Sequence, residues 1–232
     1  MRVKIHHSSF ITYHSLMTFR WKIAQAAEIR WWQNYLKNKP TTEYADWKTH
    51  YWENLLLETG LERLNTEGVA TRILDAGCGP AGIFMIFKNQ QVDALDPLLD
   101  DYEQKLPHFK KSLYPNVNFY SQPLETFDKT NEYDAVFCLN AINHVADLDK
   151  CFDILVNSVK TGGHLVVSID AHNFSFLKTI FQILPGDILH PHQYDLKEYS
   201  DMLTSRGCLL EKTILKKKEF IFNYYILVLK KL

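Results

Sequence analysis

Two carboxylates and three glycines in this 232-residue chain are spaced to do chemistry. Asp75 follows the apolar pair Ile73-Leu74, and Gly77, Gly79 and Gly82 turn the chain just beyond it. Glycine suits such a turn because it accepts backbone torsions that side chains oppose and leaves a bare surface for a ligand. Asp96 stands 21 residues after Asp75, closing the run Val92-Asp93-Ala94-Leu95-Asp96. A carboxylate at the end of that second strand accepts hydrogen bonds from the ribose hydroxyls of a nucleoside. A helix over residues 82–88 would add the free N–H groups of its first turn. The pattern describes a nucleoside site at the switch point of an open α/β sheet.

Gly77-x-Gly79-x-x-Gly82 also fits the dinucleotide fingerprint, which alone is weak evidence. Three features favour a different nucleoside. The motif lies some 70 residues into the chain, and the strands after it leave no second substrate domain. Asp75 also precedes the first glycine by two positions. A carboxylate there matches a ligand with ammonium and sulfonium groups better than a pyrophosphate. Ile73-Leu74-Asp75-Ala76-Gly77-Cys78-Gly79 resembles motif I of the class I S-adenosylmethionine-dependent methyltransferases. Asn140-Ala141-Ile142-Asn143-His144-Val145 and Lys160-Thr161-Gly162-Gly163-His164-Leu165 resemble later motifs of their ubiquinone-biosynthesis-like (type 11-12) branch. The likeness runs along roughly residues 70–210 and leaves the substrate open.

The resemblance implies S-adenosyl-L-methionine as cofactor and assigns residues to it. Asp75, Gly77 and Gly79 face the methionine part, with Asp75 at its ammonium group. Asp96 binds the ribose, and Pro97 and Leu98 flank the adenine. Pro123 stands where many relatives carry an aspartate for the adenine amino group, leaving the Leu124 backbone, Gln122 or Glu125 as substitutes. Leu139 and Asn140 fall beside the sulfur.

The donor is already activated, so alignment is the main demand, with a general base for a hydroxyl or protonated amine. His144 is one candidate base, and a structural hydrogen bond explains it equally well. Asp170, His172 and Asn173 fall at the same sheet edge, although capping the next helix is the simpler role. His190-Pro191-His192 matches no zinc pattern, so His192 or His190 is read as a loop histidine that touches substrate, with His192 beside His144 as a candidate to assist deprotonation. No metal is expected.

These side chains need a sheet beneath them. The first strand starts near Ala70, followed by strands at 92–96, 117–120, 136–139 and 164–169, with helices at 98–112 and 145–160 between them. Such alternation implies a Rossmann-like, doubly wound, seven-stranded sheet, mostly parallel, with right-handed crossovers. A helix near 195–205 precedes an antiparallel hairpin of 208–215 and 220–229, linked by Lys216-Lys217-Lys218-Glu219. The division is an N-terminal helical extension or lid over 1–68 and a methyltransferase domain over 69–232. Two aromatic helices fall in the extension, over 21–38 and from Thr41 or Thr42 to Glu58, with Gly60 past the end. Their stripes, which include Trp31, Trp32, Trp47 and Trp52, either pack on the sheet's flank or roof the active site.

Composition bounds the function classes. Net charge is −1, so no overall field favours nucleic acid. Four scattered cysteines without a C-x-x-C pair suggest reduced thiols in a cytoplasmic protein. No apolar run reaches membrane-span length. The reading is methyl transfer to a small-molecule substrate with an apolar or aromatic portion. RNA or protein methylation, a non-catalytic adenosyl-cofactor module and an NAD-dependent oxidoreductase are the rivals, and the oligomeric state is open.

Overall fold

The structure, a computed structural model, describes residues 23–66, 70–173 and 194–232. Seven strands form one sheet: β1 Arg72–Ala76, β2 Gln91–Leu95, β3 Val117–Tyr120, β4 Tyr133–Cys138, β5 Val159–His172, β6 Cys208–Lys218 and β7 Phe222–Lys231. Their order is β3-β2-β1-β4-β5-β7-β6. β1 to β5 pair in parallel, while β7 runs antiparallel between β5 and β6. This is the expected Rossmann-like doubly wound sheet with an antiparallel C-terminal hairpin.

Side chains alternate across each strand, so the two faces build two cores. Ile73, Val92, Phe137, Val166 and Val228 face one side, where they pack with Ile29, Leu36, Trp52, Leu55 and Tyr102. Those partners come from α1 (residues 23–36), α2 (Thr41–Thr59) and α3 (Leu99–Lys105). Leu74, Val136, Val167 and Leu227 face the other side, against α4 (Leu148–Ser158) and α5 (Leu196–Thr204). By the same alternation Asp75, Ser168, Asp170 and Tyr224 project toward α1 and α2. The N-terminal helices therefore pack on the sheet's flank within the first core.

α2 ends as expected at Gly60, whose φ of +77° lets its N–H reach the carbonyls of Leu56 and Leu57. Its start differs. Pro40 holds the N-cap position without a side-chain hydrogen bond, and neither Thr41 nor Thr42 caps. On α1, Ile29 and Leu36 are the buried residues, whereas Trp31 and Tyr35 stack on each other at the surface. Asp195 and Glu198 close a capping box at α5, satisfying donors that the helix leaves free.

Four expectations are corrected. No α-helix follows the glycine turn. Two 3₁₀ turns, Gly79–Ala81 and Ile83–Ile86, fill the short path to β2, separated by the extended Gly82 (ψ 179°). The segment expected as one helix over 98–112 stops at Lys105, ahead of Pro107, which disfavours helical torsions at Leu106. The glycine pair 162–163 lies inside β5, because α4 already ends at Ser158. A side chain at Gly163 would meet the Asp134 carbonyl at 2.8 Å. Finally, β6 runs through Lys216, Lys217 and Lys218 instead of turning at them. Lysines suit this outermost strand, where their charge opposes pairing with another chain.

Candidate active site

Strand order reverses between β1 and β4, and the glycine turn lies at their carboxyl ends. Backbone and carboxylate bonds hold that turn rigidly. The Leu95 carbonyl accepts from the N–H of Gly77 (2.7 Å) and Cys78 (3.0 Å), tying the turn to the end of β2. Asp96 Oδ2 accepts from Gly79 N–H at 3.0 Å, and its Oδ1 accepts from Leu98 N–H at 2.8 Å. Asp75 Oδ2 accepts from Phe84 N–H at 3.0 Å, gathering the second 3₁₀ turn under the first. That capture accounts for the missing helix: a donor expected to face a ligand is used by a buried carboxylate.

Close approach explains two glycines. At Gly77, with φ +71°, a Cβ would lie 2.2 Å from Ala141 Cβ, so only glycine lets the turns after β1 and β4 meet. At Gly82 a Cβ would lie 2.3 Å from Asp75 Oδ2.

Both carboxylates are buried, Asp75 being 1% exposed and Asp96 7%. Burial pushes the Asp75 carboxyl up to about 7, against the opposing pull of the Phe84 N–H and the Lys48 cation. Burial also pushes Asp96 up to about 7, aided by the nearby Glu28 carboxylate and opposed by its two backbone donors. Each Asp96 oxygen keeps a lone pair after its backbone bond, so the group can still accept from ribose hydroxyls. The bare Gly79 backbone beside it completes a fit to a nucleoside.

The N-terminal helices pack on the sheet's flank and also reach this edge. A Cβ on Gly79 would lie 3.8 Å from the Trp32 ring, which places α1 over the turn. Glu28, also on α1, accepts from Tyr102 O–H at 2.7 Å. Trp52 Nε1 donates to the Ala81 carbonyl at 3.0 Å and pins α2 to the same turn.

The other expected residues separate into near and far groups. Pro97 is half-buried and Leu98 buried beside Asp96. Leu124 is buried and opens a 3₁₀ turn after Pro123. Glu125 is committed elsewhere, since its Oε1 accepts from the N–H of Ala146 at 2.7 Å. Asn140 sits at the end of β4 with φ +57°, and its N–H donates to Ser168 Oγ at 2.7 Å. His144 is exposed in the 3₁₀ turn Ile142–His144 just beyond it. His172 is buried against Phe222, and Asn173 Nδ2 donates to the Glu219 carbonyl at 2.7 Å, holding the hairpin turn. His190 and His192 lie outside the described residues. Among the described residues no cluster of His, Cys, Asp and Glu could hold a metal ion, and no helix is long and apolar enough to cross a membrane.

Three residues with no expected role reach this edge, Lys48, Ser168 and Tyr224, together with Tyr51 from the aromatic stripe of α2. Lys48 Nζ stands over the rings of Trp52 (4.5 Å), Tyr51 (5.2 Å) and Trp47 (5.6 Å). Tyr51 lies beside Tyr224, and Tyr224 beside Ser168. The available signal was the i, i+3, i+4 spacing of Lys48, Tyr51 and Trp52, which puts all three on one helix face.

Comparison with known proteins agrees with this geometry. The chain is 29% identical over 116 residues to the ubiquinone biosynthesis O-methyltransferase of Rickettsia conorii, a match covering 49% of this chain and 40% of that protein. The enzyme of the same name from Rickettsia felis is 31% identical over 98 residues, or 41% of this chain and 40% of that protein. The chain thus aligns with about two fifths of the length of these curated relatives. Among solved structures, the Burkholderia thailandensis 1,6-didemethyltoxoflavin-N1-methyltransferase, with bound 1,6-didemethyltoxoflavin and S-adenosylhomocysteine, superposes with a TM-score of 0.57 at 11% identity, covering 100% of this chain and 93% of that one. The Synechocystis magnesium protoporphyrin IX methyltransferase with bound S-adenosylhomocysteine gives 0.57 at 19% identity over 78% of this chain and 83% of that one. At these identities the superpositions establish the fold. A methyltransferase-domain family model matches residues 67–182, half of the chain, and so takes in the glycine turn, both carboxylates and Asn140. The chain belongs to that family, the class I S-adenosylmethionine-dependent methyltransferases.

Proposed function

We propose that this chain transfers a methyl group from S-adenosylmethionine to a small-molecule acceptor with an apolar or aromatic portion. The observation that carries the reading is Asp96, a buried carboxylate that ties the glycine turn to the end of β2 and keeps acceptor capacity toward the crevice. Support for a small acceptor comes from the aromatic side chains that α1 and α2 bring over the edge, and from relatives named for small-molecule methylation.

Asp96 would hold the ribose, with Pro97, Leu98 and Leu124 around the adenine. Gly77 and Gly79 would present bare backbone to the methionine part, and Asp75 braces their turn from beneath while offering negative charge to an ammonium group. Bound there, the cofactor supplies an electrophilic methyl group on a sulfonium. The protein's own task is alignment, with the acceptor held over Asn140 and water displaced by Trp32 and Trp52. His144, just past Asn140, or the loop histidine His192 would assist deprotonation of an acceptor hydroxyl.

Parallel calorimetric titrations with S-adenosylmethionine, S-adenosylhomocysteine and NAD test the reading. Binding of the two adenosyl ligands without NAD is expected. Binding of NAD alone would overturn it. Cofactor binding without methyl transfer to any of a broad set of phenolic and heteroaromatic acceptors would favour the non-catalytic module.

A further inference from the structure

The sheet edge divides at Asp75. On one side, over β2 and β1, lie Asp96, Gly79 and the turn. On the other, over β4, β5 and β7, lies a second polar group built on α2. Lys48, Tyr51 and Trp52 project from one face of that helix, and Trp52 fixes it to Ala81. Lys48 Nζ is held over three aromatic rings, 4.5 to 5.6 Å from their centroids. Among the described residues no carboxylate forms an ion pair with it; Asp75 acts on it only at longer range. Ring faces steady an ammonium without consuming its hydrogen-bond donors.

Beside Lys48, a row of polar groups crosses the sheet: Asn140 N–H donates to Ser168 Oγ at 2.7 Å, Tyr224 lies beside Ser168, and Tyr51 beside Tyr224. Lys216 also approaches the Tyr51 ring, 5.9 Å from its centroid, while pairing with Glu58 at 2.6 Å. Asp170 faces the group from the strand register opposite Tyr224. A half-buried cation, a hydroxyl and a wall of aromatic rings thus converge where β4 ends, on the side of Asp75 away from the nucleoside carboxylate.

Resting on the methyltransferase reading, we propose that Lys48 and the Tyr51–Tyr224–Ser168 chain form the acceptor subsite and take an aromatic acceptor through an anionic oxygen. Lys48 supplies the counter-charge, Tyr51 donates to the oxygen, and Trp47 and Trp52 line the ring. A phenol entering the site gives up its O–H proton, to His144 or directly to solvent, and keeps the electron pair on oxygen, next to the end of β4. Burial pushes the Lys48 ammonium down to about 8, the direction a partly desolvated cation takes before an anion arrives. Lys48 is thereby a specificity-determining residue of the acceptor site and leaves the donor site to Asp96.

The test uses the full chain saturated with S-adenosylhomocysteine and three probes of one shape: 4-nitrophenol, 4-nitrobenzoate and neutral 4-nitrobenzyl alcohol. The expected result is preferential binding of an anionic probe, with 4-nitrophenol showing its phenolate absorbance at a pH where the free probe is partly protonated. Lys48→Met should weaken anion binding by about tenfold or more, Tyr51→Phe by a few-fold, and Lys48→Arg should restore most of the loss. S-adenosylhomocysteine affinity should stay within about twofold in all three variants. Phenol over benzoate would identify a phenolate acceptor, and benzoate over phenol a ring carboxylate; either order supports the anion subsite. Equal binding of the neutral alcohol, or an unchanged anion affinity in Lys48→Met, would overturn it. A parallel loss of S-adenosylhomocysteine affinity in Lys48→Met would also overturn it, by moving Lys48 to the donor. Failure of the wild-type chain to bind S-adenosylhomocysteine at all would instead strike the methyltransferase reading.

Discussion

The two halves of the sheet edge are built in different ways. The donor half comes from a contiguous stretch, residues 75–98, and is fastened by backbone N–H groups on carboxylates and carbonyls: Gly79 and Leu98 on Asp96, Phe84 on Asp75, and Gly77 and Cys78 on Leu95. The acceptor half is assembled from side chains of α2, β4, β5 and β7, joined by phenol and hydroxyl contacts. Backbone fastening leaves little room to vary, because each bond fixes a torsion as well as a ligand group. Side-chain assembly allows one fold to change its acceptor by exchanging a tyrosine or lysine while the cofactor cleft stays as it is.

If that contrast is right, changes in the donor half should alter stability and cofactor affinity together. Gly77→Ala is the severest, since its new Cβ meets Ala141 Cβ at 2.2 Å in a left-handed backbone. A loss of about 3 kcal/mol is expected in urea unfolding, with cofactor binding falling alongside. Asp96→Ala removes a charged acceptor from two N–H donors and should weaken S-adenosylhomocysteine by about 2 kcal/mol, roughly thirtyfold, in calorimetry.

Next in size is a pH effect. Burial raises both Asp75 and Asp96 to about 7 in the ligand-free protein, while ribose hydroxyls and an ammonium group favour the ionised carboxylates. Cofactor binding therefore releases protons, and affinity should fall as pH drops. The expected loss is about tenfold between roughly pH 8 and pH 6 for each carboxylate that binding ionises. Titrations across that range check it, and Asp96→Asn should flatten the profile.

Trp52→Phe cuts a side-chain hydrogen bond between the two halves, leaving the Ala81 carbonyl without its indole donor. A loss of about 1 kcal/mol in the urea midpoint is expected, with a larger effect on acceptor KM than on cofactor Kd. The smallest change is Glu58→Gln. It loosens the surface pair with Lys216 by about 0.5 kcal/mol or less, and salt should mask it in melting experiments.

The same contrast governs what the chain reveals before folding. Asp75, the glycines and Asp96 could be read because their geometry is local: a strand, a turn and the next strand deliver them in order. β3 was legible to the residue, as Val117–Tyr120. The helix expected after Gly82 was not legible, because the apolar run Ile83-Phe84-Met85-Ile86 reads as helix until Asp75 claims the Phe84 N–H. On α1, three aromatic residues suggested the buried stripe, yet Ile29 and Leu36 face the core and Trp31 the surface; which face turns inward is decided by the sheet beneath. The acceptor wall was hidden for a further reason. Tyr51 and Tyr224 lie near opposite ends of the sequence, and nothing local to either announces the other.

The antiparallel strand β7 gives that separation a consequence in time. Emerging from a ribosome, the chain exposes the whole donor turn while much of the sheet is unmade, but Tyr224 reaches Tyr51 only when β7 slots between β5 and β6. Closing such distant contacts is among the slower steps of folding. An early intermediate could thus grip the nucleoside while still lacking a place for the acceptor. On the proposed function, methyl transfer would begin only once the sheet is complete.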